Sequence, residues 1–324
     1  MLKIGKLKLR HPFILAPMAG VTDLPFRLLN REFGCELAFI EMLNCRSLSY
    51  KSRKTQEMLS TSPKDKPLGV QLLGLEPKFI LKGLEILNKH DFAVLDFNAA
   101  CPAKKVVTRG EGSALLKDPK LLNKLLKVVV KNSKFPVTVK IRSGWDANSV
   151  NAREAALYAE DAGVEALFIH GRTRMQEYSG CVDYQVIKKV KDALKIPVIG
   201  SGDVFSGEAA KKMADETGCD AVAVARGALG NPWIFNEIKY CLKGKTPPPR
   251  PGIEEIEKVM TEHLKASIAF HGERIGVVAF RKFFSWYTKG WQNCRQLRKK
   301  ACDAKTGEEM LQTIKLLDKH AVLL

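Results

Sequence analysis

The chain contains no C-x-x-C pair. Its eight cysteines, at positions 35, 45, 101, 181, 219, 241, 294 and 302, are scattered. That spacing indicates neither a zinc site nor a disulfide framework, and the thiols read as reduced. No apolar run approaches the ~18 residues of a membrane span. The opening segment MLKIGKLKLRHPFILAPMAG carries Pro12 and Pro17 and lacks a small-residue cleavage pattern, so it is not read as a targeting signal. Acidic residues are also scarce. Lys and Arg number 53 against 35 Asp and Glu, a formal net charge of +18. This imbalance favours a polyanionic partner, of which nucleic acid is the commonest. With 45% apolar and 27% charged residues, disordered and fibrous classes are excluded. The expectation is a soluble, cytoplasmic, monomeric protein with no metal and no membrane contact.

Eight short apolar runs recur between residues 13 and 226: FILAP from Phe13, LAFIE from Leu37, LGVQLL from Leu68, AVLDFN from Ala93, VTVKI from Val137, ALFIH from Ala166, PVIGSG from Pro197 and AVAVAR from Ala221. Continuous apolar runs of this length read as parallel strands buried on both faces. Amphipathic helical segments lie between them. Residues 119 to 132 place Leu121, Leu122, Leu125, Leu126 and Val129 on one face, and residues 183 to 194 do so with Val186, Ile187, Val190 and Leu194. Gly34, Gly163 and Gly218 stand where a glycine would end a helix. Alternating βα units counted eightfold predict an α/β fold, a (β/α)8 TIM barrel. A doubly wound open sheet shares the local pattern.

The character changes at KGKTPPPRPG, residues 243 to 252, a stiff proline-rich linker. Beyond it no strand-like run occurs, and segments 253 to 271, 273 to 290, 291 to 302 and 306 to 320 read as helices. The expected organisation is a barrel over residues 1 to 242, the linker, and a small all-α helical bundle over residues 253 to 324. The middle of the bundle is basic and aromatic, with Arg281, Lys282, Phe283, Phe284, Trp286, Tyr287 and Trp291 followed by Arg295, Arg298, Lys299 and Lys300. Aromatics at this spacing read first as core. The Arg295 to Lys300 cluster is harder to bury and suits phosphate.

In a barrel the polar residues at the strand ends share one rim, where active sites sit. Gly200-Ser201-Gly202-Asp203 ends the seventh run and Ala225-Arg226-Gly227 the eighth, the two places where barrels often bind phosphate. The first of these loops lacks the third glycine of the dinucleotide fingerprint. Lys140 sits in an apolar context, so it must face the mouth or find a partner; there it can stabilise negative charge on a reduced isoalloxazine ring. Gln71 and His170 are neutral hydrogen-bonding groups suited to the polar edge of such a ring. Cys101 follows the fourth run in the company of Asn98, Lys104, Lys105 and Arg109. Its thiol, with an unperturbed pKa of about 8.5, is available as a general acid, while the neighbouring cations suit a phosphate backbone.

The segments APMAGVTDLPFR at 16 to 27, GVQLLG at 69 to 74, Asn98 to Pro119 with CPAKKV, VKIRSGW at 139 to 145, IHGRTRMQEYSG at 169 to 180 and ARGALGNPWIF at 225 to 235 together resemble the tRNA-dihydrouridine synthases over nearly the whole chain. The CPAKKV form and the SWY at 285 to 287 resemble the bacterial B-type subfamily. The resemblance implies an FMN-containing barrel with a helical appendage that reduces uridine in tRNA to 5,6-dihydrouridine at the expense of NADPH. Hydride would pass from reduced flavin to C6, and Cys101 would protonate C5. The flavin would contact Pro17, Met18, Ala19, Gln71, Lys140, His170, Ser201, Gly202, Asp203, Ala225 and Arg226. Substrate contacts are expected of Asn98, Lys104, Lys105, Arg109, Arg172, Arg281, Lys282, Arg295 and Arg298. Two departures stand out. Ala100 and Ala225 occupy positions where the family commonly has glycine, and alanine has less backbone freedom and a Cβ to accommodate.

Two other readings share the cofactor residues. A small-molecule or free-pyrimidine flavin reductase would have little use for a basic helical appendage, and a non-catalytic RNA-binding barrel protein would need no flavin.

Overall fold

Short apolar strands leave their backbone groups bonded only where a neighbour lies on each side, and a sheet closed on itself has no unpaired edge. The computed structural model, which describes residues 1–50 and 53–320, closes in this way. The eight barrel strands are Phe13–Leu15, Leu37–Phe39, Leu68–Leu73, Val94–Ala99, Val137–Arg142, Ala166–His170, Val198–Ser201 and Ala221–Val224. They are hydrogen-bonded in that order, all parallel. The eighth returns to the first through Val222 opposite Phe13, and the second reaches the third through Ala38 opposite Leu68. The expected (β/α)8 barrel is therefore the observed fold, with each run supplying its strand.

Helices pack around the outside, and local chemistry sets where they begin. Asp118 accepts Leu121 N–H at 3.0 Å ahead of Pro119, Asp183 accepts Val186 N–H at 3.1 Å, and Ser206 accepts Ala209 N–H at 3.1 Å. Each side chain satisfies a backbone donor that the first helical turn leaves free. Helix Gly207–Thr217 ends at Gly218 with φ +66°, as the glycine there predicts. Helix Pro119–Asn132 buries Leu122, Leu125, Leu126 and Val129 and leaves Leu121 at the margin.

Inside the barrel, alternation along each strand sorts the side chains by height. Phe39, Val94, Phe168 and Ile199 fill the lower interior, each contributing about 2 kcal/mol by burial. Gly69 is needed opposite them, because a Cβ there would lie 2.3 Å from the Phe39 ring. Above that layer the interior turns polar, with Gln71, Asp96, Thr138, Lys140, His170 and Ser201. The bottom is sealed by a feature the strand count overlooked, a hairpin of Leu2–Ile4 and Leu7–Leu9 whose Leu2, Ile4 and Leu9 plug the barrel.

No regular element occupies residues 245 to 252. The helical half then runs Ile253–His271, Glu273–Tyr287, Arg295–Asp303, Gly307–Lys315 and Leu317–His320. It differs from expectation in detail. The second helix stops at Tyr287, the third starts only at Arg295 beyond the left-handed Asn293 (φ +59°), and the last is split at Leu316. Residues 321 to 324 lie outside the described residues. Phe283, Phe284 and Tyr287 are core, as read, while Trp286 and Trp291 are only half-buried.

Phe26 on the first barrel helix stacks with Phe283 at 5.5 Å, and Asp23 pairs with His271 at 2.9 Å. Between these contacts the Gly20 peptide is held from two sides. Its N–H bonds Glu41 of the barrel, and its carbonyl accepts the Lys282 ammonium of the helical half.

Candidate active site

The polar layer opens at the C-terminal rim into a cleft of about 400 Å³. Pro17, Met18 and Ala19 after the first strand, Gln71, Lys140, His170, Ser201, Gly202, Asp203, Ala225 and Arg226 all line it, together with Asn98 and Cys101. They converge because the period-two alternation aims one set of side chains inward, and the parallel register brings the strand ends level. Asn98 stands opposite Lys140, Arg142 opposite His170, and His170 opposite Ser201.

Lys140 donates to Ser201 Oγ at 3.0 Å, and Ser201 in turn donates to the carbonyl of Ile169 at 3.0 Å. Burial lowers the Lys140 pKa, and the attraction of Asp96 works against that shift. His170 is lowered to about 2 by burial and by Lys140, Arg142, Arg172 and Arg226, so its imidazole is neutral. Its Nε2 is buried without a partner. Burial raises the Cys101 thiol, with Arg142 and Lys105 among the groups opposing the shift, so the sulfur holds its proton at neutral pH.

The backbone around Cys101 is anchored on both sides. Asn98 Oδ1 accepts the N–H groups of Ala100 at 3.0 Å and Cys101 at 2.9 Å, while the Cys101 carbonyl accepts Ser113 N at 3.1 Å and Oγ at 2.9 Å. Arg142, 2% exposed, donates to the carbonyls of Ala100, Thr173 and Glu177, which ties this loop to the one after the sixth strand. Asn98 thus both lines the cleft and holds the cysteine turn.

Arg172 must be corrected. Expected to meet substrate, it is 1% exposed and absent from the cleft wall. Its guanidinium is committed to both oxygens of Asp203 and to the carbonyls of Ser179 and Gly180. It sets the cleft's shape from behind: the Arg172 bond holds the Asp203 pKa below the usual carboxylate range, and Asp203 also binds Arg226 at 2.7 Å. Arg281 and Arg298 are likewise engaged inside the helical half, with the Ala304 carbonyl and with Thr288. Lys282 holds Gly20. Lys104, Lys105, Arg109 and Arg295 are exposed outside the cleft, Arg109 beside Glu111 at 3.0 Å.

Neither alanine needs a left-handed backbone. Ala225 has φ −121°, and Ala100 is not among the residues with positive φ, so neither position requires glycine. The sequence reading gave no role to Tyr178 or Phe205, both exposed, which flank the Arg226 guanidinium at 4.3 and 5.3 Å. It also passed over Asp96, buried beneath the cleft. No group of metal-ligating side chains occurs among the described residues, and no described helix is long and apolar enough to cross a membrane.

A closed barrel with a protonated thiol, a neutral imidazole and a buried ammonium gathered at its C-terminal rim defines a (β/α)8-barrel enzyme. Its nearer kinship follows from sequence. The family model for dihydrouridine synthase (Dus) matches residues 14–322, and the chain belongs to that family of oxidoreductases. It is 41% identical over 92% of each chain to a probable tRNA-dihydrouridine synthase of Rickettsia bellii, and 38% identical over 97% of each chain to tRNA-dihydrouridine synthase B of Vibrio cholerae. Among solved structures, histamine dehydrogenase from Rhizobium sp. 4-9 is similar with a TM-score of 0.54 at 12% identity. That match covers 82% of this chain and 50% of the other, a likeness of fold alone.

Proposed function

We propose that this protein reduces the C5=C6 bond of uridine in tRNA to give 5,6-dihydrouridine, using bound FMN and NADPH as transient reductant, with Cys101 as the proton donor. The observation that carries the reading is the placement of a protonated Cys101 thiol in one cleft with Lys140 and His170.

The cleft fits a flavin on its own chemistry. The unpartnered His170 Nε2 offers a hydrogen bond, Lys140 offers positive charge in a low-dielectric wall, and Arg226 beside Ser201-Gly202 suits a phosphate. Pro17, Met18, Ala19, Gln71, Asp203 and Ala225 complete the set that would hold it. FMN held by these residues would supply the hydride-transfer chemistry.

What the chain contributes is orientation, exclusion of water and a proton. The C4 carbonyl of uracil conjugates with C5=C6, so a nucleophile arriving at C6 builds enolate-like charge at C5 and O4. The Cys101 S–H quenches it at C5. Burial of the thiol keeps the proton on sulfur until then. A stacked uridine hides both carbons, so the base must be extruded into the cleft. We assign residues 1–242 to catalysis, 243–252 to the linker and 253–324 to gripping tRNA, with Asn98, Lys104, Lys105, Arg109 and Arg295 available to substrate, while Lys282 is engaged with the Gly20 carbonyl. The net charge of +18 supports a polyanionic substrate, and the eight unpaired cysteines suit a cytoplasmic location.

The test is the visible spectrum of the purified protein, followed by NADPH bleaching and anaerobic reoxidation. A flavin band that NADPH bleaches and unmodified tRNA restores supports the reading. A flavin that ignores tRNA but responds to free uridine makes the protein a small-molecule reductase. A colourless protein that binds tRNA makes it a non-catalytic RNA-binding barrel.

A further inference from the structure

From the cleft wall inward, four polar groups form a chain with one permitted direction. The N–H groups of Ala100 and Cys101 can only donate, so the Asn98 atom that meets them must be Oδ1. Asn98 Nδ2 is then the donor at the other end, to Gln71 Oε1 at 2.8 Å. That leaves Gln71 Nε2 to donate onward, to Asp96 Oδ2 at 2.7 Å. The remaining Asp96 oxygen accepts from Thr138 Oγ1 at 2.7 Å. Every member is at most 6% exposed, so no water can repair a reversed amide at low cost.

We propose that Asp96 is a positioning residue: as an obligatory acceptor it fixes the orientation of the Gln71 amide, through it that of Asn98, and so the placement of Cys101. Asp96 does not line the cleft and touches nothing that could bind there. It acts three groups away from the sulfur, by polarity. The proposal rests on the reading of Cys101 as the acid.

Asn and Leu at position 96 separate the three roles a buried aspartate can have. Asn has nearly the same shape and still offers Oδ1 to Gln71, with Nδ2 turned to the Thr138 hydroxyl, which can accept. Leu fills the space but accepts nothing. The measurements are kcat and KM on unmodified tRNA, and the rate at which iodoacetamide alkylates the half-buried Cys101 in the same purified proteins, followed on the Cys101 peptide by mass spectrometry because Cys181 and Cys302 are exposed. If polarity is the role, Asp96→Asn keeps kcat within about threefold and the wild-type alkylation rate. Asp96→Leu then lowers kcat about tenfold or more with little change in KM, the effect of leaving a buried donor unsatisfied, and alkylates faster as the turn loosens. Loss in both variants would mean that charge matters, and loss in neither that only packing does; either result overturns the proposal.

Should Asp96→Leu fail to fold, Asn98→Asp provides the second arm. The carboxylate it introduces can accept the two N–H groups but cannot donate to Gln71, whose amide must turn and oppose Asp96. Adding Asp96→Asn restores a donor at that end. Recovery of kcat and of the alkylation rate in the double variant supports the chain, and no recovery refutes it. A wild-type protein that makes no dihydrouridine would sink the functional reading, while the alkylation rates would still decide the positioning role.

Discussion

The imidazole of His170 and the backbone of Gly202 approach so closely that no side chain fits between them. A Cβ at position 202 would lie 2.9 Å from His170 Cδ2 and 2.7 Å from Val182 Cγ2, and Gly202 has φ +127°. Gly202→Ala is therefore expected to cost about 1–3 kcal/mol in backbone strain and to push His170 out of line. The flavin absorbance per mole of purified protein should fall together with Tm. A variant that keeps both would show that the loop yields freely.

Cys101→Ala should keep its bound flavin and its NADPH oxidation while losing dihydrouridine formation on tRNA by about 10² or more, the range for a removed general acid. Product analysis after single turnover reads this directly. Undiminished product would remove the thiol from the chemistry.

Arg172→Lys tests the corrected role of that residue. Lysine cannot reproduce the two-pronged grip on Asp203, so about 1–3 kcal/mol of stability should be lost, and flavin should dissociate more readily as Arg226 loses its fixed neighbour. KM for tRNA, measured with FMN in excess, should stay unchanged. A large rise in KM would return Arg172 to the substrate.

The buried His263 predicts an acid-labile helical half. Burial lowers its pKa from 6.5 to about 4, with Asp23 opposing and Lys282 assisting the shift; Nδ1 meets the Tyr287 hydroxyl at 3.2 Å. Between those values the unfolded chain binds a proton that the folded one refuses. Stability is therefore full above pH 6.5 and declines as pH falls toward 4, by about 3 kcal/mol in all. Denaturant midpoints measured from pH 7 to 4 should show this slope, and His263→Phe should flatten it.

Most of the cleft was legible because strand ends in a parallel barrel share a rim, and a residue's place on a strand fixes both its height and its face. Gln71, Lys140, His170 and Ser201 were found on that basis. Arg172 was placed at the substrate by the resemblance, not by a position on a strand. The strand ends at His170, and beyond it alternation no longer says where a side chain points. Asp96 escaped because a single carboxylate inside AVLDFN reads as a flaw in an apolar strand. Its significance comes from Gln71 and Thr138, which other strands bring to it. Tyr178 belongs to a loop whose return to Arg226 is set by tertiary contacts alone. The hairpin at Leu2–Leu9 did leave a local signal, the alternation of Leu2 with Ile4 and Leu7 with Leu9, too short to weigh against eight longer runs.

The Gly20 peptide, held by Glu41 on one side and Lys282 on the other, makes the lip of the cleft joint property of the barrel and the helices. Exchanging helical halves between relatives would thus also alter the mouth of the cleft. A graft without a lysine at position 282 would leave the Met18 to Val21 turn unsupported on its helical side. In this architecture the helical half cannot be exchanged without reshaping the cleft's lip.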